Sequence, residues 1–439
     1  PAEIDSVAMK YVHAGPFQVL NLANGNPIII ETNRLQQEEE GEHYAPAAVF
    51  EANPRWETVS SGQPLEVDPE KQKHISDRLL GILFSQSADI LKRGIGSPED
   101  LDLGCRLAFG FRDGPLAMMR QLGAEEVRRI ADRFAAWKPG MPRGDGVMDE
   151  ALSARRFIGV DRYRGAAIIT LRRPDALNAL HDEMTDEILI EVEQAEADPD
   201  ITSIVITGYG TQAFCSGADI GRFPALLGDH AACVEYARAC SRLLLRMDEC
   251  QKPIVAALNG YALGGGLELA LRCDAMVMQQ DAYLQFPEIS LGIAPGIGAL
   301  AVPYRRHPDA SATFHDMIIR ARRLSALDAK QLGVVSELAE DASQLFDQAI
   351  AVAKQISDHG RVSLDAPITI ARVDTKTEYS PEIAQLMARA IEDAAQAADL
   401  SEALEIGYRA FGDTGMTAAA REGIGAFLER RRPDFSKTG

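Results

Sequence analysis

No disulfide framework, metal signature, membrane span or basic patch organises this 439-residue chain. Its six cysteines, at 105, 215, 233, 240, 250 and 273, form no CxxC pair and no disulfide-like spacing. In a chain of this length that fits a reducing cytoplasm. The eight histidines are scattered and make no HExxH, which argues against a metal site. Cations are scarce: 45 Lys and Arg against 65 Asp and Glu leave a net charge of −20. That balance speaks against nucleic acid or an anionic membrane as partner, and any phosphate-bearing ligand has to be met by a local basic patch. No apolar run is long enough to span a membrane, and the N-terminus has no basic segment followed by an apolar one. What is present, 46% hydrophobic residues, suffices for two or three ordinary globular cores.

Three glycine-bearing stretches carry the chemistry. The first, Asn259-Gly-Tyr-Ala-Leu-Gly264-Gly265-Gly266-Leu-Glu268, follows the apolar run Pro253-Ile-Val-Ala-Ala-Leu258, a buried strand, and leads into a Leu/Ala-rich helix. Three successive glycines at that junction leave backbone N–H groups open to a ligand, and the helix start adds a positive dipole end. The turn is thus a pocket for an oxygen that gains negative charge. The second stretch, Gln212-Ala-Phe214-Cys-Ser216-Gly217-Ala218-Asp219-Ile220, follows the strand Ile204-Val-Ile-Thr-Gly208 with another small-residue turn. The third, Phe286-Pro287-Glu288-Ile-Ser-Leu-Gly292-Ile-Ala-Pro295-Gly296-Ile-Gly298, supplies a second glutamate. The string Gly296-Ile-Gly298-Ala-Leu-Ala301 does not read as a nucleotide loop, because a proline turn and no strand precedes it.

The rest of the chain reads in segments. Residues 1–137 are helical and carry a faint duplication, with Ile4-Asp5 and Gly15-Pro16-Phe17 echoed by Leu101-Asp102 and Gly114-Pro115-Leu116. Between the echoes, His74 to Phe84 has helical apolar spacing. Residues 138–154 are the expected linker, with five Gly or Pro between Lys138 and Gly146. Two strands around Phe157-Ile-Gly-Val160 and Ala166-Ala-Ile-Ile-Thr-Leu171 then open a core over 155–342, followed by a helical region, 343–439.

Taken together, the three glycine stretches resemble the enoyl-CoA hydratase/isomerase (crotonase) family from about residue 155 to 435. The closing Ala426-Phe427-Leu-Glu429-Arg430-Arg431-Arg432-Pro433 matches that family's ending. The N-terminal segment resembles the C-terminal helical domain of 3-hydroxyacyl-CoA dehydrogenases, at Ile95-Gly-Ser-Pro-Glu-Asp-Leu-Asp and Gly110-Phe-Arg-Asp-Gly-Pro-Leu. The resemblance implies an α/β fold: a crotonase-type spiral of strand-strand-helix units with a C-terminal helical trimerisation region, preceded by an all-helical domain. It implies a homotrimer or hexamer acting on an acyl-CoA, with coenzyme A entering as part of the substrate and no separate cofactor. No Rossmann segment precedes the N-terminal helices, so an NAD-binding dehydrogenase partner, or a fused domain missing from this chain, is expected to supply that half.

By the same resemblance the N–H groups of Ala218 and Gly265 form an oxyanion hole, and Glu268 and Glu288 are the catalytic acids, Glu288 the proton donor to the α-carbon. Arg173, Ala176 and Leu177, in the loop the family lays over coenzyme A, together with Ser216, Asp219 and Ile220, bind the substrate. Arg430 and Arg431 either meet the ribose phosphate or form an ordinary solvated charge run. Taken apart from the family, Glu288 reads as a capping or surface acid, Asp219 as a turn-stabilising acceptor and Cys215 as a small buried residue. Having both glutamates favours a hydratase, adding water to a 2-enoyl-CoA to give a 3-hydroxyacyl-CoA. A Δ3,Δ2-enoyl-CoA isomerase, a ring-opening acyl-CoA hydrolase and a non-catalytic subunit of a multienzyme acyl-CoA complex are the alternatives.

Overall fold

The computed structural model describes residues 1–143, 149 and 154–438. The chain divides into two compact units, Pro1–Arg156 and Phe157–Gly439. Of the expected linker, residues 144–148 and 150–153 lie outside the described residues. No helix among the described residues is long and apolar enough to cross a membrane.

The first unit is helical, and its duplication is physical. Asp5 is fully buried and accepts from the amides of Phe17 and Gln18 at 2.8 and 3.1 Å, capping the helix Pro16–Ala23. Asp102 does the same for Leu116 and Ala117, at 2.7 and 2.9 Å, at the start of the helix Pro115–Leu122. Each carboxylate satisfies orphan donors from outside the helix it caps. A Cβ on Gly15 or on Gly114 would lie 2.2 Å from the capping carboxyl, so only glycine fits beside it. The two copies join through an antiparallel bridge between Val12 and Phe111. The predicted helix at 74–84 lies within Pro69–Lys92, whose Leu80, Phe84 and Ala88 share a core with Leu116, Met119 and Ile130.

The second unit is built from ten strands: β1 Ile158–Tyr163, β2 Ala166–Leu171, β3 Ser203–Gly208, β4 Ala213–Cys215, β5 Ile254–Leu258, β6 Tyr261–Leu263, β7 Ala275–Gln279, β8 Tyr283–Gln285, β9 Leu324–Ser325 and β10 Glu337–Ala339. One sheet runs β1-β2-β3-β5-β7-β10 and the other β4-β6-β8-β9. Strands β2, β3, β5, β7 and β10 are parallel neighbours, and only β1 is antiparallel to its partner in that sheet. Alternate residues of the central strands face opposite cores. Val205, Val255, Ala257 and Val277 pack on Leu345, Ala349 and Val352 of the helix Ala342–His359, while Ile204, Ile206, Ala256 and Met278 face the larger core. Burial on both faces is why these strands read as continuous apolar runs.

Each repeat places one strand in each sheet, then a helical element: β3, β4 and the 3₁₀ turn Ile220–Ala225; β5, β6 and the helix Gly265–Arg272; β7, β8 and the 3₁₀ turn Glu288–Leu291. This is the expected strand-strand-helix spiral. Because β4, β6 and β8 are parallel neighbours, the segments leaving their C-terminal ends fall side by side. The three glycine stretches are those segments.

The C-terminal region departs from the expected run of helices at residues 360–379, which contain no helix. The apolar faces of the helices Pro381–Gln396 and Leu400–Gly415 are buried in this chain, at Ile383, Met387, Ile391, Leu404 and Phe411 among others. Arg305 ties the region down, donating to the carbonyls of Leu364, Ala366, Ala394 and Ala397 at 2.7–2.9 Å.

Candidate active site

The junction of β6 with the helix Gly265–Arg272 needs its first glycine. Gly264 adopts φ +48° and ψ −125°, which a residue with a Cβ rarely enters. Its neighbour Gly265 opens the helix, so its N–H has no intrahelical acceptor. The segment after β4 reaches the same place. Leu180 donates to the Gly217 carbonyl at 2.8 Å, and Asp219 donates to the Leu180 carbonyl at 2.9 Å, leaving the Ala218 N–H between them aimed elsewhere. Neither the Ala218 nor the Gly265 amide finds an acceptor among the described residues. The two turns touch: a Cβ on Gly265 would lie 3.4 Å from the Ala218 nitrogen, and one on Gly217 would lie 3.6 Å from the Gly265 nitrogen.

Both acids line the cleft beside these amides. Glu268, on the first turn of the helix, is buried, and its Oε1 accepts from the N–H groups of Ile297 and Ala299 at 2.9 and 2.8 Å. The Gly296-Ile-Gly298 string therefore grips a carboxylate of the chain itself. Burial nonetheless pushes Glu268 up to about 7. Glu288, also buried, has an Oε2 with no hydrogen-bond partner, and burial first, then the charge of Glu268, raises it well above the ordinary carboxylate range. Burial and the charge of one acid on the other thus both favour the protonated form of Glu288.

Of the other expected site residues, Ser216 and Ile220 also line the cleft. Arg173, Ala176, Leu177 and Asp219 are not among the residues lining it. The Arg173 guanidinium pairs with Asp219 at 2.7 Å and donates to the Ala179 carbonyl at 3.2 Å, while Ser216 Oγ donates to the Ala176 carbonyl at 3.0 Å. Asp219 also caps the turn Ile220–Ala225 through the Gly221 amide, the acceptor role read for it. Asn178, fully buried at φ +60°, pins this loop by donating to the carbonyls of Tyr209 and Ala213. Arg431 is held by Glu422 at 2.6 and 3.0 Å and by Glu429 at 2.6 Å, and neither it nor Arg430 is among the cleft residues. Burial pushes the Cys215 thiol up to about 12, which leaves it a packing residue. Among the described residues no group of three or more His, Cys, Asp or Glu is placed to hold a metal.

The residues sequence reasoning missed are His181 and an aromatic wall of Phe223, Tyr236 and Phe411. His181 caps the helix Asp182–Ala197, its Nδ1 accepting from the Met184 amide at 3.1 Å, and its only sequence signal was a polar residue before a helix. The wall has no local signature, since Phe411 comes from the C-terminal region and meets Phe223 with ring centroids 5.9 Å apart.

Both units have relatives among known proteins. Residues 161–379 match the model of the enoyl-CoA hydratase/isomerase family, and residues 74–161 match that of the 3-hydroxyacyl-CoA dehydrogenase C-terminal domain. A probable enoyl-CoA hydratase of Mycobacterium leprae is 34% identical over 277 residues, 63% of this chain and 96% of that one. The mitochondrial enoyl-CoA hydratase of Pongo abelii is 32% identical over 303 residues, 69% of this chain and 92% of its own. Among solved structures, an enoyl-CoA hydratase/isomerase from Xanthobacter autotrophicus is similar over 63% of this chain and 98% of that one, at 27% identity and a TM-score of 0.48. With its cleft in the unit these relatives share almost end to end, the chain belongs to the enoyl-CoA hydratase/isomerase family.

Proposed function

We propose that the cleft adds water reversibly across the double bond of a 2-enoyl-CoA to give a 3-hydroxyacyl-CoA. The observation that carries this reading is the meeting of two acceptor-free amides with two buried carboxyls in one cleft. The amides of Ala218 and Gly265 receive the thioester oxygen and favour the enolate-like state, in which that oxygen carries more charge than in the ground state. Glu268, its Oε1 already fixed by two amides, takes a proton from water as the water oxygen bonds to the β-carbon. Glu288, whose pKa burial and the charge of Glu268 raise well above the ordinary carboxylate range, gives its proton to the α-carbon. The water proton replaces the one delivered, so the pair ends one proton transfer from its starting state.

Other parts of the reading are coarser. The expected contacts of Arg173, Ala176, Leu177, Asp219, Arg430 and Arg431 with coenzyme A, a trimer-based assembly, a place in fatty-acid β-oxidation and an NAD-binding dehydrogenase partner rest on resemblance. Six free cysteines favour the cytoplasm. Replacing Glu288 by Gln and following the loss of the conjugated-thioester absorbance of crotonyl-CoA tests the mechanism. Turnover is expected to fall by about 10² to 10⁴. Unchanged turnover removes Glu288 from the mechanism, and an inactive unmodified protein favours the non-catalytic subunit.

A further inference from the structure

The cleft has a cavity of about 120 Å³, and a second, solvent-open pocket of about 430 Å³ adjoins it. Asp182, Thr185, Tyr236 and Cys240 line both, so they form the partition between them. Tyr236 and Cys240 stand one turn apart on the helix His230–Glu249. The tyrosine ring is held on its other sides by Phe223 at 5.7 Å, by Phe411 at 6.5 Å and by the Arg222 guanidinium at 5.4 Å. A ring fixed by three neighbours does not swing aside without losing those contacts.

The second cavity mixes two surfaces. Leu189, Leu226 and Leu243 give it apolar footing, while Asp182, Asp186 and Glu235 give it negative charge. Its two arginines are engaged already, Arg222 with Asp182 and Arg242 with Asp186. An apolar chain that passed the partition would find surface to bury, whereas a terminal carboxylate would find no unpaired cation, since Arg222 and Arg242 already face Asp182 and Asp186 and Glu235 faces Arg238 at 3.5 Å.

We infer that Tyr236 is the floor of the acyl site and sets the substrate class as short, uncharged 2-enoyl-CoAs. This rests on the hydratase reading above and deepens it. The test is kcat/KM for a series of trans-2-enoyl-CoAs of four to twelve carbons, plus a six-carbon member ending in a carboxylate, with the unmodified protein and with Tyr236→Ala, Tyr236→Leu and Tyr236→Phe. In the unmodified protein kcat/KM is expected to be highest at four to six carbons, and at least about tenfold lower at ten carbons and for the carboxylate-terminated substrate. In Tyr236→Ala the ten-carbon to four-carbon ratio is expected to rise by at least about tenfold, less so in Tyr236→Leu, with the Tyr236→Phe ratio close to that of the unmodified protein. The ratio does not depend on how much of a variant is folded. An unmodified protein that prefers ten carbons or the carboxylate, a ratio unmoved in both Ala and Leu variants, or a Phe variant that shifts as far as Ala overturns the inference while the hydratase reading stands. Failure of the unmodified protein to hydrate any member of the series overturns both.

Discussion

A Cβ on Gly264 would stand 2.4 Å from Oε1 of Glu288, so the glycine that follows β6 and the acid that follows β8 are fitted to one another across two strands. The backbone of Gly264, at φ +48°, independently disfavours any side chain. Gly264→Ala is therefore expected to lower stability by about 1–3 kcal/mol and turnover by roughly a hundredfold, through displacement of the Glu288 carboxyl. Crotonyl-CoA hydration measured beside thermal denaturation checks both. Wild-type turnover in this variant would show that Glu288 need not sit where it does.

The next two glycines separate catalysis from folding. A methyl on Gly265 meets the Ala218 nitrogen at 3.4 Å, an ordinary contact, and lies where a thioester oxygen would have to reach the two amides. Gly265→Ala is expected to cost about 10² in kcat with a melting temperature near that of the unmodified protein. A methyl on Gly266 would stand 2.6 Å from Cys215 Cβ and from its backbone oxygen. Gly266→Ala should therefore lose about 1–3 kcal/mol of stability as well as activity. The reverse ranking would place the oxyanion donors elsewhere.

The buried acids predict a pH dependence with a definite sign. Burial raises Glu268 from 4.5 to about 7 and raises Glu288 well above its ordinary value. From about 4.5 to about 7 the folded chain holds on Glu268 a proton that the unfolded chain has released. The contribution of Glu268 to stability is thus complete below about 4.5 and lost as pH climbs through about 7. Melting temperatures at pH 5 and pH 8 should differ more in the unmodified protein than in Glu268→Gln, where one of the two titrations is gone. Turnover should fall below about 7, as Glu268 takes up its proton and loses its capacity as base. Equal pH slopes in protein and variant would contradict the assignment.

In the helical unit, Asp5 and Asp102 should both matter, Asp102 the more. Each leaves two amides without an acceptor when removed, part-buried at Phe17 and Gln18 and buried at Leu116 and Ala117. Asp5→Ala and Asp102→Ala are each expected to cost about 1–3 kcal/mol, read from urea denaturation followed by far-ultraviolet circular dichroism. A loss confined to one of the two would mean that only one copy of the duplicated motif still works as a cap.

The sequence by itself determined the local elements: apolar runs with two buried faces at 166–171, 203–208 and 254–258, glycines where backbone must stay bare, and Pro and Gly around the capping aspartates. Such features depend on φ, ψ and periodicity within a few residues, and a linear reading reaches them. Through resemblance it also reached Glu268, Glu288, Ala218 and Gly265 as one group. Only the tertiary structure decided why they meet. The strand order β4-β6-β8 brings three segments, up to about seventy positions apart in the chain, to one edge. The same long-range packing turned Arg173 onto Asp219, carried Phe411 from the C-terminal region into the cleft and set Tyr236 between two cavities. Contacts across such separations follow from how sheets stack and which faces find cover, and no local pattern in the chain records them.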